Sequence, residues 1–507
     1  MLDASVNPET YQPKKPGRWF ILPVLVVAFT LRLINIGRYS LWSDEAGQVL
    51  AALQPRFDDF LRIVRSHVMA MPLDYMVTRL ITRFTLDEGL LRLPSAIWGV
   101  LAVLFLFLTI DLLFRNNRYG RHTALITAFL LAVSPVHVFY SQEIRFYSAL
   151  NCFYWLSNFL LMRFLLKPKA SNLIFFTLST LIGVFFHPYI ALVFVNALIF
   201  LLFNKKISLQ AVYYQDKKLW LTRFFQLAIS ALIIFSVFLI WVIIQKPNTQ
   251  QNHELFLFTG SFVNFMLSGI TWRGYEWCQN STLFGVWEYF LMATFMIGLF
   301  LSIRSKQKKR FLIPLLAAYA LQVMMIVAAD FIRGYWVALR QTIHLAPILF
   351  IFNAFCFSSI IEWFARPPRL QKRSKPYSVG ILIIVFVVIL GFAAPKLDEY
   401  YKVSKSNARD LIAKAQKTDP EIKTVLINPG YYSIVYEIYL VHYYNIPDVK
   451  MVRSDLSNLA EQSKETNFLI APTVLSDDEI GQISQYYNPV YISESQCWGD
   501  GSLYISK

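Results

Sequence analysis

Charged residues are scarce in this chain of 507 residues: Asp, Glu, Lys and Arg make up 16% of it, whereas 56% is hydrophobic. The mean hydropathy is +0.45. A soluble protein of this size does not need so much apolar sequence, and the apolar residues are not arranged as short strands and amphipathic helices. The composition therefore excludes a soluble globular protein.

The apolar residues form eleven runs, most of them of roughly 17–25 residues, the length that crosses a bilayer as a helix. These runs are Trp19–Ile36, Pro94–Phe114, Thr123–Phe139, Phe146–Leu166, Leu173–Phe186, Tyr189–Phe203, Phe224–Ile244, Leu283–Ile303, Phe311–Phe331, Val337–Ile361 and Ser378–Pro395. The predicted fold class is an α-helical polytopic membrane protein with about eleven transmembrane helices.

Cysteine is also rare, and the four cysteines have no motif spacing. Cys152 and Cys356 fall within apolar runs and are interpreted as core residues. Cys278 and Cys497 fall on the same predicted external side, where they could pair. The cysteines therefore do not define a functional site.

Acidic residues are fewer than basic ones, 32 against 48, which gives a formal net charge of +16. From Lys396 onward, however, 15 Asp and Glu stand against 11 Lys and Arg. The basic residues before that point cluster in every second loop, which is the positive-inside pattern of an inner (plasma) membrane protein. This pattern predicts a cytoplasmic N-terminus, with the loop after the first span and the C-terminal tail both outside. It indicates topology, and no nucleic-acid partner.

Three parts of the chain follow from these patterns. Residues 1–18 form a mostly polar cytoplasmic tail without a signal-cleavage site, so the first span is a retained anchor. Residues 19–395 form the membrane domain, whose first external loop, 37–93, has helical periodicity typical of amphipathic helices on the membrane surface. Residues 396–507 alternate helix and strand patterns and predict an extracytoplasmic α/β domain that could fold alone. This domain lacks a Gly-rich phosphate loop, which favours accessory binding or packing.

Two adjacent carboxylates, Asp44 and Glu45, follow the first predicted span directly. Charges at the mouth of a span are costly unless they face water or a cavity, so the pair is a candidate functional site. The alternative is a solvated helix start in which Ser43 is the cap and the acids favour the helix dipole.

Further polar residues fall at the predicted outer ends of spans, the same face as Asp44. Glu143, Arg145 and Tyr147 lie at one such end, and His187 precedes Pro188 at an interruption of the apolar sequence. Arg340 lies at another end, with Arg333 before it. Glu143 and Arg145 could instead form a local ion pair, and His187 could only satisfy backbone groups.

The segment Leu41-Trp42-Ser43-Asp44-Glu45-Ala46 resembles the Asp-Glu signature of GT-C superfamily membrane glycosyltransferases, in the protein O-mannosyltransferase-like group (glycosyltransferase family 39 and lipid A aminoarabinose transferase-like enzymes). Three further segments carry the resemblance: His67-x-x-x-Met71-Pro72-Leu73-x-Tyr75, Leu91-Arg92-Leu93-Pro94-Ser95 and Gln142-Glu143-x-Arg145-x-Tyr147. The similarity covers roughly Trp19 to Val212, with a weaker echo at Arg340 to Pro347. Their order, spacing and common outer face make the combination more specific than any single motif.

The resemblance implies transfer of a sugar, with inversion, from a polyprenyl-phosphate donor to an extracytoplasmic acceptor that is a lipid, a glycan or a protein. Asp44 would be the general base, and Glu45 would tune it or bind the acceptor. The leaving phosphate needs a cation, for which Arg340 is the first candidate and Arg145 and Arg333 are alternatives. Gln341 and Thr342 depart from the family, in which a tyrosine often follows this arginine. The remaining candidates for substrate binding are Arg92, His67, His187, Glu143 and Tyr147.

Two further expectations stay open at this point. Asp44, Glu45, Glu143 and His187 could together hold a divalent cation, although no spacing requires one. A transporter or flippase is the main rival function, but its charges would lie at mid-span in pseudo-symmetric halves. A non-catalytic scaffold that displays the α/β tail is the second rival. In this chain the charges gather at the outer mouth and no internal repeat is visible, which favours the enzyme.

Overall fold

The structure is a computed structural model. It describes residues 18–66, 70–115, 120–203, 217–245, 286–333, 339–364, 374–402, 406–420, 422–428, 432–446, 449–453, 456, 458–471, 475–493 and 501–507. Helices dominate these ranges, and a small sheet lies near the C-terminus. Cys152 and Cys356 are free and buried, as predicted; Cys278 and Cys497 lie outside the described residues.

Apolar helices of two lengths lie at the predicted spans. Seven of the described helices are long and apolar enough to cross a membrane: Glu88–Leu113, Tyr147–Leu166, Trp220–Ile244, Val286–Arg304, Lys308–Ala329, Arg340–Phe364 and Ser378–Lys402. Four shorter apolar helices cover the remaining runs: Trp19–Leu33, Gly120–Val133, Ala170–Val184 and Pro188–Leu202. The predicted helical membrane fold is confirmed, whereas the number of spans and their orientation remain predictions.

The apolar helices are exposed on one side and packed on the other. Leu232 and Ile243, in the helix Lys217–Ile244, are 64% and 70% exposed, as expected for side chains that face lipid. The interior is held partly by hydrogen bonds between helices: the Tyr154 hydroxyl donates to Gln322 Oε1 at 2.8 Å, and Asn196 Nδ2 donates to the Tyr154 hydroxyl at 2.8 Å. Such bonds replace the hydrophobic driving force, which is absent between helices in lipid.

The first external loop contains three helices, Ser43–Ala52, Phe57–Ser66 and Pro72–Thr82. The last two were predicted from their periodicity. A short helix Pro135–Tyr140 and two 3-10 segments, Pro188–Leu192 and Leu339–Leu345, lie at other predicted outer ends. Polar side chains from all these segments can therefore converge.

The tail forms the predicted α/β unit. Its strands are β1 (Thr424–Ile427), β2 (Lys450–Arg453), β3 (Phe468–Ala471), β4 (Tyr487–Tyr491) and β5 (Ser502–Ser506). The sheet order is β2-β1-β3-β5-β4, with β1 parallel to β2 and β3 and with β5 antiparallel to β3 and β4. Its helices are Ala408–Thr418, Ser433–Glu437 (continued by a π-helix, Ile438–Tyr443), Leu459–Gln462 and Asp477–Tyr486. The apolar segments at 424–430, 468–472 and 489–492 predict β1, β3 and β4, whereas the sequence pattern does not predict β2 or β5.

The boundary between the membrane domain and the tail differs from the predicted one. The last long helix, Ser374–Lys402, runs through Pro395 and ends seven residues beyond the predicted boundary. The tail also shares one apolar core with the membrane domain: Leu41, Ala46 and Ile144 pack in the same cluster as Tyr436 and Tyr439. The tail is thus built onto the first external loop.

Candidate active site

Asp44 and Arg340 face each other at the predicted outer face. Asp44 is the second residue of the helix Ser43–Ala52, and Arg340 lies in the 3-10 segment Leu339–Leu345. Arg340 Nη2 lies 3.5 Å from Asp44 Oδ2. The arginine side chain is 10% exposed and the carboxylate 31% exposed, so the pair joins a buried cation to a carboxylate that solvent or substrate can reach.

Glu45 has a different environment from its neighbour. Its carboxylate is fully buried and accepts two hydrogen bonds from Arg92, at 2.9 Å from Nε and 2.6 Å from Nη2. It also accepts the backbone N–H of Ile144 at 2.9 Å and that of Trp42 at 3.3 Å. Glu45 therefore helps to cap the helix Ser43–Ala52, a role that the alternative prediction gave to Ser43. The Asp44 carboxylate remains available for other contacts.

Arg92 is a second buried part of this arrangement. Besides Glu45, its guanidinium donates to the carbonyls of Ile36 at 3.1 Å, Tyr39 at 2.8 Å and Ser40 at 3.1 Å. A bidentate ion pair whose remaining donors also bind backbone carbonyls is satisfied without a ligand. The geometry favours a role in holding the loop before Asp44 over the substrate contact that the motif suggested.

Arg145 brings a second cation to Asp44. It donates to Gln48 Oε1 at 3.3 Å and hydrogen-bonds with Tyr75. Burial by itself lowers the pKa of Arg145, but the negative charge of the nearby Asp44 outweighs burial, so that the pKa is raised above its ordinary value. Arg145 Nε is buried and has no hydrogen-bond partner in the described part of the chain.

Gln48 and Asp74 complete this side of the site. Gln48 Nε2 donates to Asp74 Oδ2 and to Thr78 Oγ1, at 2.9 Å each. Burial raises the pKa of Asp74 to about 6, although Arg145 and the Gln48 hydrogen bond oppose the shift. The sequence reading missed Gln48, whose position four residues after Asp44 places it on the same helical face.

Tyr147 and Glu143 are almost completely buried and lie near both arginines. The negative charges of Asp44 and Glu143 act on Arg340, and Tyr147 also interacts with it. The sequence-predicted residues Asp44, Glu143, Arg145, Tyr147 and Arg340 therefore form one cluster, which we call the Asp44 cluster. It draws on three separate parts of the chain.

His187 lies beside this cluster. Its Nδ1 accepts the backbone N–H of Tyr189 at 3.2 Å, and its ring stacks on Phe146 with centroids 4.5 Å apart. Burial lowers the pKa of His187 well below its ordinary value, and the nearby positive charge of Arg145 acts in the same direction. One nitrogen of the ring thus satisfies a backbone group at the interruption of the apolar sequence, and a ligand-binding role for His187 stays a prediction.

Two of the predicted binding residues fall at the edge of the described part of the chain or outside it. His67 lies outside the described residues, and the backbone of Arg333 ends the helix Lys306–Arg333 while its side chain is not described. Within the described ranges, no group of three or more His, Cys, Asp or Glu side chains is arranged to hold a metal ion. Of the four residues suggested for a cation, Glu45 is already bound by Arg92.

Known proteins resemble the chain in sequence and fold. The family described as "Dolichyl-phosphate-mannose-protein mannosyltransferase" matches residues 72–241. Two crystal structures of ArnT from Cupriavidus metallidurans superpose on nearly the whole chain. The apo structure has a TM-score of 0.53 at 13% identity and covers 96% of this chain and 97% of that one. The structure bound to undecaprenyl phosphate has a TM-score of 0.51 at 14% identity, with coverage of 96% and 98%. No curated protein matches the sequence.

Proposed function

We propose that this chain, a membrane glycosyltransferase of the GT-C superfamily, transfers a sugar from a polyprenyl-phosphate donor to an acceptor on the extracytoplasmic side of the inner membrane. The matching family is described as a dolichyl-phosphate-mannose-protein mannosyltransferase, and one of the two ArnT structures has undecaprenyl phosphate bound. Both descriptions support a lipid-phosphate donor. The basic loops support the assignment of the site to the outer side.

A single observation carries the proposal: the partly exposed Asp44 carboxylate lies 3.5 Å from the buried Arg340. Its charge also acts on Arg145. Sugar transfer from a phosphate carrier requires a base for the acceptor and a cation for the departing phosphate. The Asp44 cluster holds both side by side at the mouth of the helix bundle.

The reaction proceeds in one displacement. Asp44 takes the proton of the acceptor hydroxyl or amine as the acceptor atom forms a bond to the anomeric carbon. The bond between that carbon and the phosphate oxygen breaks, and the electron pair leaves with the polyprenyl phosphate. Attack opposite the leaving group inverts the anomeric configuration. The phosphate needs no proton, because guanidinium groups can bind its oxygens directly.

The other residues of the site have supporting roles in this proposal. Arg340 and Arg145 bind the donor phosphate, and both interact with Tyr147 electrostatically. Glu45 and Arg92 hold the loop and helix start on which Asp44 is mounted. We thus assign Glu45 a positioning role and leave the chemistry to Asp44, a narrower role than the paired catalytic carboxylates of the sequence motif.

The decisive experiment uses the purified protein in proteoliposomes, with undecaprenyl phosphate carrying a radiolabelled hexose or pentose as donor. A membrane extract from a deletion strain supplies acceptors. Asp44→Asn is expected to reduce label transfer by about 10²–10⁴-fold, the usual contribution of a general base. Asp58→Asn is the matched control, because Asp58 is also in the first turn of a helix in the predicted external loop but its side chain is exposed.

The same preparation distinguishes the rival function. Label that crosses the bilayer still attached to its carrier, without acceptor-dependent release, supports a transporter or flippase. Full transfer by Asp44→Asn would falsify the role of Asp44. Mass spectrometry of surface glycolipids, glycans and glycoproteins from the deletion strain, with and without the wild-type gene, then identifies the acceptor class.

A further inference from the structure

The C-terminal unit contacts the stretch of chain that leads into Asp44. This stretch, Arg38–Leu41, which we call the lead segment, has no helix or strand of its own. It precedes the helix start by one residue. Its backbone therefore depends on side chains from elsewhere for hydrogen bonds and for its position.

Tyr439, in the π-helical turn of the tail, contacts the lead segment directly. Its hydroxyl accepts the backbone N–H of Leu41 at 2.7 Å and donates to Glu88 Oε1 at 3.0 Å. Tyr439 and Leu41 are completely buried. Burial, with the nearby charge of Glu88, raises the pKa of Tyr439 well above its ordinary value, so the hydroxyl stays protonated and can make both bonds.

Arg409 of the tail makes a second set of contacts with the same segment. Its backbone N–H donates to Ser40 Oγ at 3.0 Å, and its Nη2 donates to the Arg38 carbonyl at 3.0 Å. Its Nη1 lies 3.1 Å from the same Glu88 oxygen that Tyr439 binds. Tyr439, Arg409 and Glu88 therefore form one network across the junction of the tail and the membrane domain.

Arg92 also holds the lead segment, through the carbonyls of Tyr39 and Ser40. The lead segment is thus fixed by an arginine of the membrane domain and by two residues of the tail. The helix that carries Asp44 also packs on the tail, since Ala46 and Val49 lie in the core shared with Tyr436. A shift of the tail would move Asp44 relative to Arg340.

We propose that Tyr439 and Arg409 are positioning residues for catalysis, and that the C-terminal unit sets the distance between Asp44 and the donor. This inference rests on the proposed function of Asp44. It departs from the expectation that the tail only packs or binds an accessory partner. Instead, the C-terminal unit helps to hold the general base, Asp44, in position.

Tyr439→Phe tests the inference because it removes only the hydroxyl. Tyr443→Phe is the matched control: the Tyr443 hydroxyl also crosses from the tail to the membrane domain, but it donates to the Leu86 carbonyl and not to the lead segment. The full-length variants are compared in the proteoliposome assay with the undecaprenyl phosphate-linked donor. Melting temperatures in detergent and binding of undecaprenyl phosphate are measured beside kcat and KM.

Tyr439→Phe is expected to lower kcat about tenfold, because a misplaced base affects the transition state. The donor KM and the binding of undecaprenyl phosphate should stay within about twofold of wild type, because donor binding does not depend on the base. Tyr443→Phe is expected to keep kcat while losing similar thermal stability. If Tyr439→Phe does not fold, Arg409→Lys replaces it; it keeps a charge for Glu88 but loses the fork that reaches the Arg38 carbonyl, and a severalfold loss of kcat is expected.

The positioning role would be overturned if Tyr439→Phe, or Arg409→Lys in its place, has the same kcat as the control Tyr443→Phe. Asp44→Asn, assayed in parallel, separates this failure from that of the proposed function. If Asp44→Asn is inactive while the tail variants match their control, only the positioning inference fails. If Asp44→Asn remains active, the function of Asp44 fails and the inference falls with it.

Discussion

The carboxylate of Glu45 is bound at two points by the buried guanidinium of Arg92, whereas Asp44, the preceding residue, stays partly open and faces Arg340. Two adjacent acids thus have opposite surroundings. Successive helical residues point about 100° apart, so one side chain enters the core while the other faces the cluster. This separation gives different expectations for substitutions at the two positions.

Glu45→Gln is expected to lower stability by about 3–5 kcal/mol, because it leaves the buried charge of Arg92 without its partner. The free energy of unfolding can be compared in detergent by denaturant titration. Asp44→Asn is expected to lose transfer with little change in stability. An equally stable but inactive Glu45→Gln protein would instead support a catalytic role for Glu45.

Arg340→Gln is expected to raise the donor KM about 30-fold or more, since loss of a buried, hydrogen-bonded charge contact costs at least about 2 kcal/mol of binding. The donor KM of Arg340→Lys should lie between those of the wild type and Arg340→Gln, because lysine keeps the charge but not the planar fork of the guanidinium. Arg62→Gln, whose side chain is 76% exposed, is the control. Unchanged binding of undecaprenyl phosphate by Arg340→Gln would exclude Arg340 as a phosphate ligand.

The raised pKa of Asp74, about 6, makes stability depend on pH. A carboxyl whose folded pKa is above its unfolded value contributes stability that is fully present below the unfolded pKa, about 3.9, and is lost as pH rises through about 6. The melting temperature of the wild type relative to Asp74→Asn should therefore fall between pH 4 and pH 6 and level off above pH 7. A difference that is constant with pH would show that Asp74 is not buried in this way.

Gly298→Ala tests the packing of the helices Val286–Arg304 and Ala346–Phe364. A Cβ at position 298 would collide with the backbone carbonyl of Phe352, and Asn353 Nδ2 ties the same helices by donating to Leu291 O at 2.8 Å. We expect a loss of about 1–3 kcal/mol from overpacking. Gly391→Ala, where a Cβ meets nothing within 4 Å, should fold at least as well as wild type. Equal melting temperatures for both variants would contradict this packing.

Composition and periodicity determined the membrane architecture. Each predicted apolar run coincides with an apolar helix, because a bilayer requires about twenty apolar residues with internally satisfied backbone groups and few alternatives exist. The tail was harder to predict. Strands β2 (KMVR) and β5 (SLYIS) mix polar with apolar residues, unlike the almost wholly apolar β1 (TVLI) and β3 (FLIA). Such mixed segments are defined by their neighbours in the sheet more than by their own pattern.

The sequence by itself also predicted that Asp44, Arg145 and Arg340 lie on one face, since each follows or begins an apolar run at a predicted outer end. The sequence did not show which acid of the Asp44–Glu45 pair forms a buried ion pair, and it did not show that the tail holds the lead segment. Those outcomes depend on partners that are distant in the sequence. Arg92 is 47 residues away from Glu45, and Tyr439 is 398 residues away from Leu41. Local sequence governs helix formation and burial in lipid, but only tertiary packing decides which charge is satisfied and which remains available.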